Sequence, residues 1–550
     1  MQNRPYPYCE ATAIKDLKEM LAVKARTHKK ETAFLYPLES GELRKTYRDL
    51  QADVNALGTW MYHHKIRGKH VALVGENSYE WLVAFLASVN GGNVAVAIDR
   101  NLPEEEIVQL AKKADVDVAF VSAAAAKKCG RRVARKSYVL DRFDEFLREG
   151  RQCLKRGEEE FLRYEIKGDD TAAILFTSGT SGFSKGVELT NDNLAFEITR
   201  TSMLFDPQGG VLAVLPFHHA FGLVVGILMV INYGQPVYIN KSLRRLREDM
   251  ERFRPRTMFM VPAFVESFHR QIWAEISKKK MTHPIRGLMK STDLILKSGV
   301  DVRKFAYGAI QKVFGGNLSY IICGGAPLDP MYVREFRSWG IEILNGYGAT
   351  ECSPCTAVNR AQYHRDGTVW VPVPGIEVKI TEEGEVAFRG GLVMKGYYKD
   401  EEATKEVLID GWYHTGDLGM IDGDGFITLT GRKKNLIILS NGENVSPEEL
   451  EMNLTRDSAV KEALVYEEDG RIVAEVYPDE KRKGDAAYFE KLRNRVNKDR
   501  PPYKRIAQIT LADHEFVKNT SMKILRHKNV PAAGKKTRAA DEEKTETAAR

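Results

Sequence analysis

Short apolar runs rich in valine recur early in the chain, at His70–Val74, Val94–Ala97 and Val116–Val121. Between them, Tyr79–Val89 and Pro103–Ala114 repeat apolar side chains at helical spacing. The second is opened by Asn101-Leu102-Pro103 with acids in its first turn, the signature of a helix start. Strand, helix, strand, helix, strand predicts a parallel sheet with crossover helices. The alternation resumes downstream, where Val211–Leu215, Pro236–Ile239, Thr257–Val261 and Tyr320–Cys323 read as buried strands. Gly222–Val230, a run of small and branched apolar residues, fits either a tunnel lining for an alkyl chain or a buried helix. In Lys241–Arg256, Leu243, Leu246, Met250 and Phe253 fall at helical spacing with seven Lys/Arg on the other faces. This suits a core-packed helix with a solvated side, or an anchor for the phosphates of a large anionic substrate or for headgroups. From Val371 onward, short runs at Glu377–Ile380, Glu385–Arg389 and Gly425–Leu429 alternate with the turns Glu383-Gly384, Asp410-Gly411, Asp422-Gly423 and Asp424-Gly425. That texture predicts a small antiparallel sheet or barrel. A polar link, Gly431–Lys434, precedes a mixed unit at Leu436–Arg526. The last twenty residues carry no aromatic side chain and predict a disordered tail.

At 550 residues the chain exceeds one hydrophobic core, so two to four folding units are expected. With 43% hydrophobic and 29% charged residues it has the balance of an ordinary soluble protein. The net charge of +7 suits anionic small substrates or anionic headgroups, and no basic patch interleaved with aromatics points to nucleic acid. Six scattered cysteines make no disulfide framework, which predicts a reducing, cytoplasmic setting. Cys352 and Cys355 form a C-x-x-C without a second ligand pair or a redox context, so a structural role is expected. The first residues lack the apolar stretch of a secretory signal. The greasiest segment, Val211–Val230, is broken by Pro216, His218 and His219, which makes a poor membrane span.

The densest chemistry lies in Leu175–Gly186, LFTSGTSGFSKG, directly after the apolar run Ala172–Phe176. Glycines, hydroxyls and one lysine in a short loop can wrap a polyphosphate, because few side chains obstruct backbone N–H groups. The order differs from the kinase-type loop: Ser184 precedes Lys185, Gly186 follows it, and the hydroxyls of Thr177, Ser178, Thr180 and Ser181 sit upstream. Asn345–Glu351, NGYGATE, combines a glycine turn, an aromatic ring, a hydroxyl and a carboxylate. There Tyr347 suits a purine face, Thr350 a phosphate oxygen and Glu351 an Mg²⁺ ion. Asp417, after Gly411-Trp412-Tyr413-His414-Thr415-Gly416, suits two ribose hydroxyls, with Arg432 in reach of the same sugar.

TSGTSGFSKG, GGAPL at Gly324–Leu328, NGYGATE, GWYHTGD, GRKKNLIILSNGENVSPEELE and NTSMKILR occur in the order found in the acyl-adenylate-forming superfamily, which the chain resembles from about residue 30 to 527. Within it, GENVSPEELE, FRGGLVMKGYYKDEEAT and FGGNLSYIICGGAPL resemble long-chain fatty acid–CoA ligases. The resemblance implies an α/β fold: a large N-terminal α/β domain with parallel sheets and a small antiparallel β subdomain (residues 1–431), and a small mobile α+β C-terminal domain (432–530). It implies that Thr177, Ser178, Gly179, Thr180, Ser181, Gly182 and Lys185 hold the ATP phosphates. Ala326, Asn345, Gly346 and Tyr347 would surround adenine, and Thr350 would touch the α-phosphate. Glu351 would hold Mg²⁺, while Asp417 and Arg432 would take the ribose. His219 matches the residue beside the reacting carboxylate, Lys523 the mobile catalytic lysine and Lys434 the hinge. The chain departs from the pattern at Met522, where the family usually has glycine, and at Ile438, where several aryl-acid ligases have lysine.

The implied substrates are a fatty acid, ATP and coenzyme A, with peripheral contact to a membrane surface where the acid partitions. The alternatives are another carboxylic acid or aryl acid, a carrier-protein acceptor, or a nucleotide-binding homologue with weak turnover.

Overall fold

The computed structural model describes residues 8–38, 41–177, 184–240, 242–369, 372–439, 442–518 and 523–530. Ser178, Gly179, Thr180, Ser181 and Gly182 of the phosphate loop, together with Met522 and the tail from 531, lie outside the described residues. The chain divides into two compact units. One comprises residues 1–177, 184–379 and 387–414, and the other 178–183, 380–386 and 415–550.

Two large sheets organise the first unit. A seven-stranded sheet runs in the order Gly396–Tyr397, Lys185–Thr190, Thr171–Thr177, Val94–Ala97, His70–Val74, Val118–Val121, Lys136–Val139. Its last five members are mutually parallel, as the valine-rich runs predict. Such strands are buried on both faces and so lack polar alternation. Ala72, Val96, Ala119 and Ile174 are fully buried between the crossover helices. An eight-stranded sheet runs Cys355–Val358, Glu342–Gly348, Tyr320–Cys323, Thr257–Met260, Val211–Ala213, Val237–Ile239, Thr32–Leu38, Gly41–Thr46. It is parallel through the middle and antiparallel at both edges.

Gly222–Val230 is helical: a π-helix over Phe221–Leu228 continues as Met229–Tyr233, and every residue from Gly222 to Asn232 is buried. The cavity beside Gly222 and Gly226 measures about 10 Å³, room for no more than one water. The basic segment also differs from one continuous helix. It is a single turn at Leu243–Arg245 followed by Leu246–Phe253. Arg245, Arg247 and Arg252 are paired with Glu248, Glu251 and Glu42, so much of that positive charge is already compensated. Cys352 is buried, the Cys355 backbone N–H donates to Glu197, and burial pushes both thiols well above their usual range, in keeping with a structural role.

In the second unit the strands Val460–Glu468, Arg471–Pro478 and Gln508–Leu511 form a sheet. Against it pack Leu450 and Leu454 from the helix Pro447–Thr455, and Phe489 and Leu492 from Ala486–Asn497. Among the described residues no helix is long and apolar enough to cross a membrane.

Candidate active site

Thr177 and Lys185 face each other in register at the end of the antiparallel pair Thr171–Thr177 and Lys185–Thr190, which fixes both ends of the phosphate loop. Lys113 Nζ donates to the Ser184 carbonyl at 2.9 Å. The strand leaving the loop feeds directly into the helix Asn191–Ser202. That helix is started by a capping box in which Thr190 and Asn193 bond each other's backbone N–H, worth about 1 kcal/mol. Asn193 Nδ2 also donates to the Gly391 and Val393 carbonyls, at 2.8 and 3.0 Å. It thereby holds the chain just ahead of Gly396–Tyr397, the outermost strand of the same sheet.

Tyr397 on that strand is the centre of a cluster. The Lys185 ammonium sits 4.7 Å above its ring, and its hydroxyl donates to Glu351 Oε1 at 2.8 Å. The backbone of Glu351 is fixed as well, its carbonyl accepting from Met394 N–H at 2.9 Å. Burial, and then the adjacent Glu351 charge, hold the phenol well above its usual pKa, so it stays a donor. The lysine and the carboxylate of two sequence-distant motifs are thus joined by one aromatic side chain. Tyr397→Phe is expected to slow pyrophosphate release about tenfold, the worth of one hydrogen bond to a charged acceptor. It should also raise the Mg²⁺ concentration required. A purely structural tyrosine would lower thermal stability and leave the Mg²⁺ requirement unchanged.

The eight-stranded sheet gathers further residues at the carboxyl ends of its strands. His218 and His219 follow the strand Val211–Ala213, Ala326 follows Tyr320–Cys323, and Asn345, Gly346 and Tyr347 end Glu342–Gly348. All three strands belong to the parallel middle of the sheet, so these loops emerge on the same side. Gly324 is where they meet: a Cβ there would lie 3.2 Å from the Gly346 carbonyl and 3.5 Å from the Phe221 ring. Gly348 is equally constrained, because a Cβ would fall 1.8 Å from the Pro354 carbonyl oxygen. Thr350 opens a 3₁₀ turn, Thr350–Cys352, that carries Glu351.

Several contributors carried no readable signal. Asn77 pins the histidine loop, donating to the Leu215 carbonyl at 2.8 Å and accepting from Phe217 N–H at 2.9 Å. His218, whose ring centroid is 4.3 Å from that of His219, lies 3.6 Å from Asp99, and burial draws its pKa below the ordinary value. Glu197, fully buried, accepts from Cys355 N–H at 2.9 Å, and desolvation pushes its carboxyl well above the usual range.

The second unit carries the remaining candidates. Asp417 and Arg432 are paired in register on antiparallel strands, and Arg432 Nε donates to Asp417 Oδ1 at 2.7 Å. The turn before Asp417 is held by Thr415 Oγ1 donating to the Val386 carbonyl at 2.7 Å and Gly416 N–H donating to Glu385 at 2.6 Å. Lys434 is exposed in the 3₁₀ turn Lys433–Asn435. Gly431 precedes it where a Cβ would lie 2.6 Å from Ser446 Oγ. Lys523 is exposed, three residues before Arg526. The Arg526 guanidinium forks onto both Glu451 oxygens at 2.6 Å and donates to the Val465 carbonyl at 2.9 Å. Arg526→Ala is expected to cost the second unit about 2 kcal/mol, the range for losing hydrogen bonds to a charged group. A denaturant melt should register that loss, and Glu451→Gln placed in the same variant should restore part of it, since no carboxylate is then left uncompensated.

A parallel α/β scaffold with its chemistry-bearing loops at strand carboxyl ends is that of an enzyme that takes its ligand there. A family model described as AMP-binding enzyme matches residues 21–398. The chain belongs to the AMP-binding enzymes, adenylate-forming acid–CoA ligases. It is similar to the long-chain-fatty-acid–CoA ligase FadD15 of Mycobacterium bovis, 28% identical over 72% of this chain and 71% of that protein. It is also similar to the long-chain-fatty-acid–CoA ligase 6 of Mus musculus, 27% identical over 79% and 69% of the two chains. The same fold is found in the o-succinylbenzoate coenzyme A synthetase (MenE) of Bacillus subtilis, solved in complex with ATP and magnesium ion. Its TM-score is 0.72 at 23% identity, over 92% of this chain and 98% of that one.

Proposed function

We propose that the protein activates a fatty acid with ATP and transfers the acyl group to coenzyme A. The observation that carries this reading is the Lys185–Tyr397–Glu351 cluster, which joins a cation and a carboxylate at the base of a phosphate-type loop. The fatty acid is supported by the two ligase relatives above, and by Ile438 standing where several aryl-acid ligases carry lysine.

In the first half-reaction a carboxylate oxygen attacks the α-phosphorus of ATP. The new C–O–P linkage forms, the α–β P–O bond breaks and pyrophosphate leaves. Two anions must approach each other, so the work of the protein is to compensate charge and align the groups. Lys185 and Lys523 supply ammonium charge, His219 lies beside the carboxylate, and Ala326, Asn345, Gly346 and Tyr347 take the adenine. Thr350 bonds the α-phosphate, and Asp417 with Arg432 takes the ribose. Glu351, a hard oxygen donor already oriented by Tyr397, suits Mg²⁺. When bound, that ion would neutralise phosphate charge. In the second half-reaction the thiolate of coenzyme A attacks the acyl carbon, the C–S bond forms and AMP departs with the electron pair of the C–O bond. We infer that the C-terminal domain, residues 432–530, turns about Gly431–Lys434 between the halves, withdrawing Lys523 from the reacting centre.

A second reading, activation of an aryl or other short acid, is favoured by the fold shared with the o-succinylbenzoate coenzyme A synthetase of Bacillus subtilis. One experiment separates them: pyrophosphate release over straight-chain acids of graded length and a panel of aryl acids, with and without coenzyme A. Release that grows with chain length and yields acyl-CoA is the expected result. Turnover with aryl acids alone would favour the second reading, and none with any acid would end both.

A further inference from the structure

The segment from residue 278 to 305 concentrates features that the proposed chemistry does not use. It holds eight Lys/Arg against two Asp, a net +6, where the whole chain nets +7. Five of the large apolar side chains left exposed fall within it: Phe305 at 95%, Leu294 at 69%, Val300 at 55%, Met281 at 44% and Ile295 at 40%.

The helix Thr282–Lys297 explains the arrangement. Its inner face is Ile285, Leu288, Met289, Thr292 and Leu296, half-buried to buried, with Thr292 Oγ1 hydrogen-bonded to Tyr307 at 2.9 Å. At the same helical spacing, His283, Gly287, Lys290, Leu294 and Lys297 make an outward stripe, all exposed. Phe305 follows on the next short helix, Arg303–Ala306. Arg303 is taken up by Asp301 and Glu342, and Arg286 stacks over Trp273. Lys278, Lys279, Lys280, Lys290 and Lys297 form no ion pair among the described residues.

We propose that this face docks on the surface of an anionic phospholipid bilayer, the helix lying in the interface plane with Leu294, Ile295 and Phe305 entering the headgroup region. The chemistry of the patch selects that partner. A helix bound to protein on one side, with apolar tips fringed by lysine on the other, is the form of an interfacial membrane contact. Protein–protein interface centres are depleted in lysine. A two-fold contact between copies would set +6 against +6. The inference stands apart from the choice of acid: it concerns where the protein sits, not which carboxylate it activates.

The test is co-sedimentation of the full-length protein with vesicles of phosphatidylcholine, with and without phosphatidylserine, at low and high salt. Binding is expected only with phosphatidylserine, weakening with salt. Each lysine near the surface contributes roughly fivefold, so Lys290→Ala with Lys297→Ala should weaken binding by about 25-fold. Leu294→Ser with Phe305→Ser should weaken it as well, while soluble pyrophosphate release stays unchanged in both variants. All four positions are exposed, so folding is not at stake. Equal binding to both vesicle types, or variants that sediment like the parent, would overturn the proposal. So would self-association abolished by Phe305→Ser in a protein that ignores vesicles, which would give the face to a second copy.

Discussion

Replacing Lys523 by alanine is expected to slow acyl-adenylate formation by about 10²–10³ and to leave thioester formation from supplied acyl-adenylate nearly untouched. In the first half-reaction negative charge builds on the α-phosphorus oxygens and the departing pyrophosphate, and with Lys523 withdrawn before the second half its ammonium acts on the first. Lys523 is exposed, and its backbone continues into Leu525, whose N–H donates to the Val517 carbonyl at 2.9 Å, and into the Arg526–Glu451 fork. Exchange of labelled pyrophosphate into ATP reports the first half, and thiol consumption with synthetic acyl-adenylate reports the second. Equal losses in both would show that Lys523 serves the fold rather than the phosphoryl transfer.

Lys434→Pro should give the opposite split. Lys434 sits in the middle of the turn Lys433–Asn435, and the following Leu436 N–H donates back to the Arg432 carbonyl at 3.1 Å. Proline locks φ near −65° and restricts the residue before it. One conformation of the link then survives and the turn between half-reactions is blocked. Adenylate formation is expected to persist, and thioester formation to fall by about 10², the cost of reacting groups held out of line. Adenylate lost along with thioester would remove the rotation from the mechanism.

The parallel strands were legible because full burial leaves a purely apolar run, and the loops because glycine and hydroxyl clusters mark them. Thr177 and Lys185 could be placed at the two ends of one loop from spacing alone. Tyr397 could not, since one tyrosine in GYYKD carries no sign of partners at Lys185 and Glu351, which only the sheet order brings alongside. Asn77 and Glu197 were hidden for the same reason: each bonds a backbone group more than a hundred residues away. The helix at Gly222–Val230 and the tunnel were indistinguishable because a continuous apolar run has no periodicity to read. The bias of the segment from 278 to 305 was visible in composition, but its meaning depended on knowing that Thr292 faces inward and Leu294 outward.

The ring of Tyr397 balances a cation on its face against an anion on its hydroxyl. A polyphosphate that draws Lys185 away takes a positive charge from the face of the ring, and a divalent ion that claims Glu351 relieves the phenol of its acceptor. Each ligand thus dismantles part of what opposes the other. Nucleotide and metal should saturate the protein as a linked pair, each tightening the other's hold.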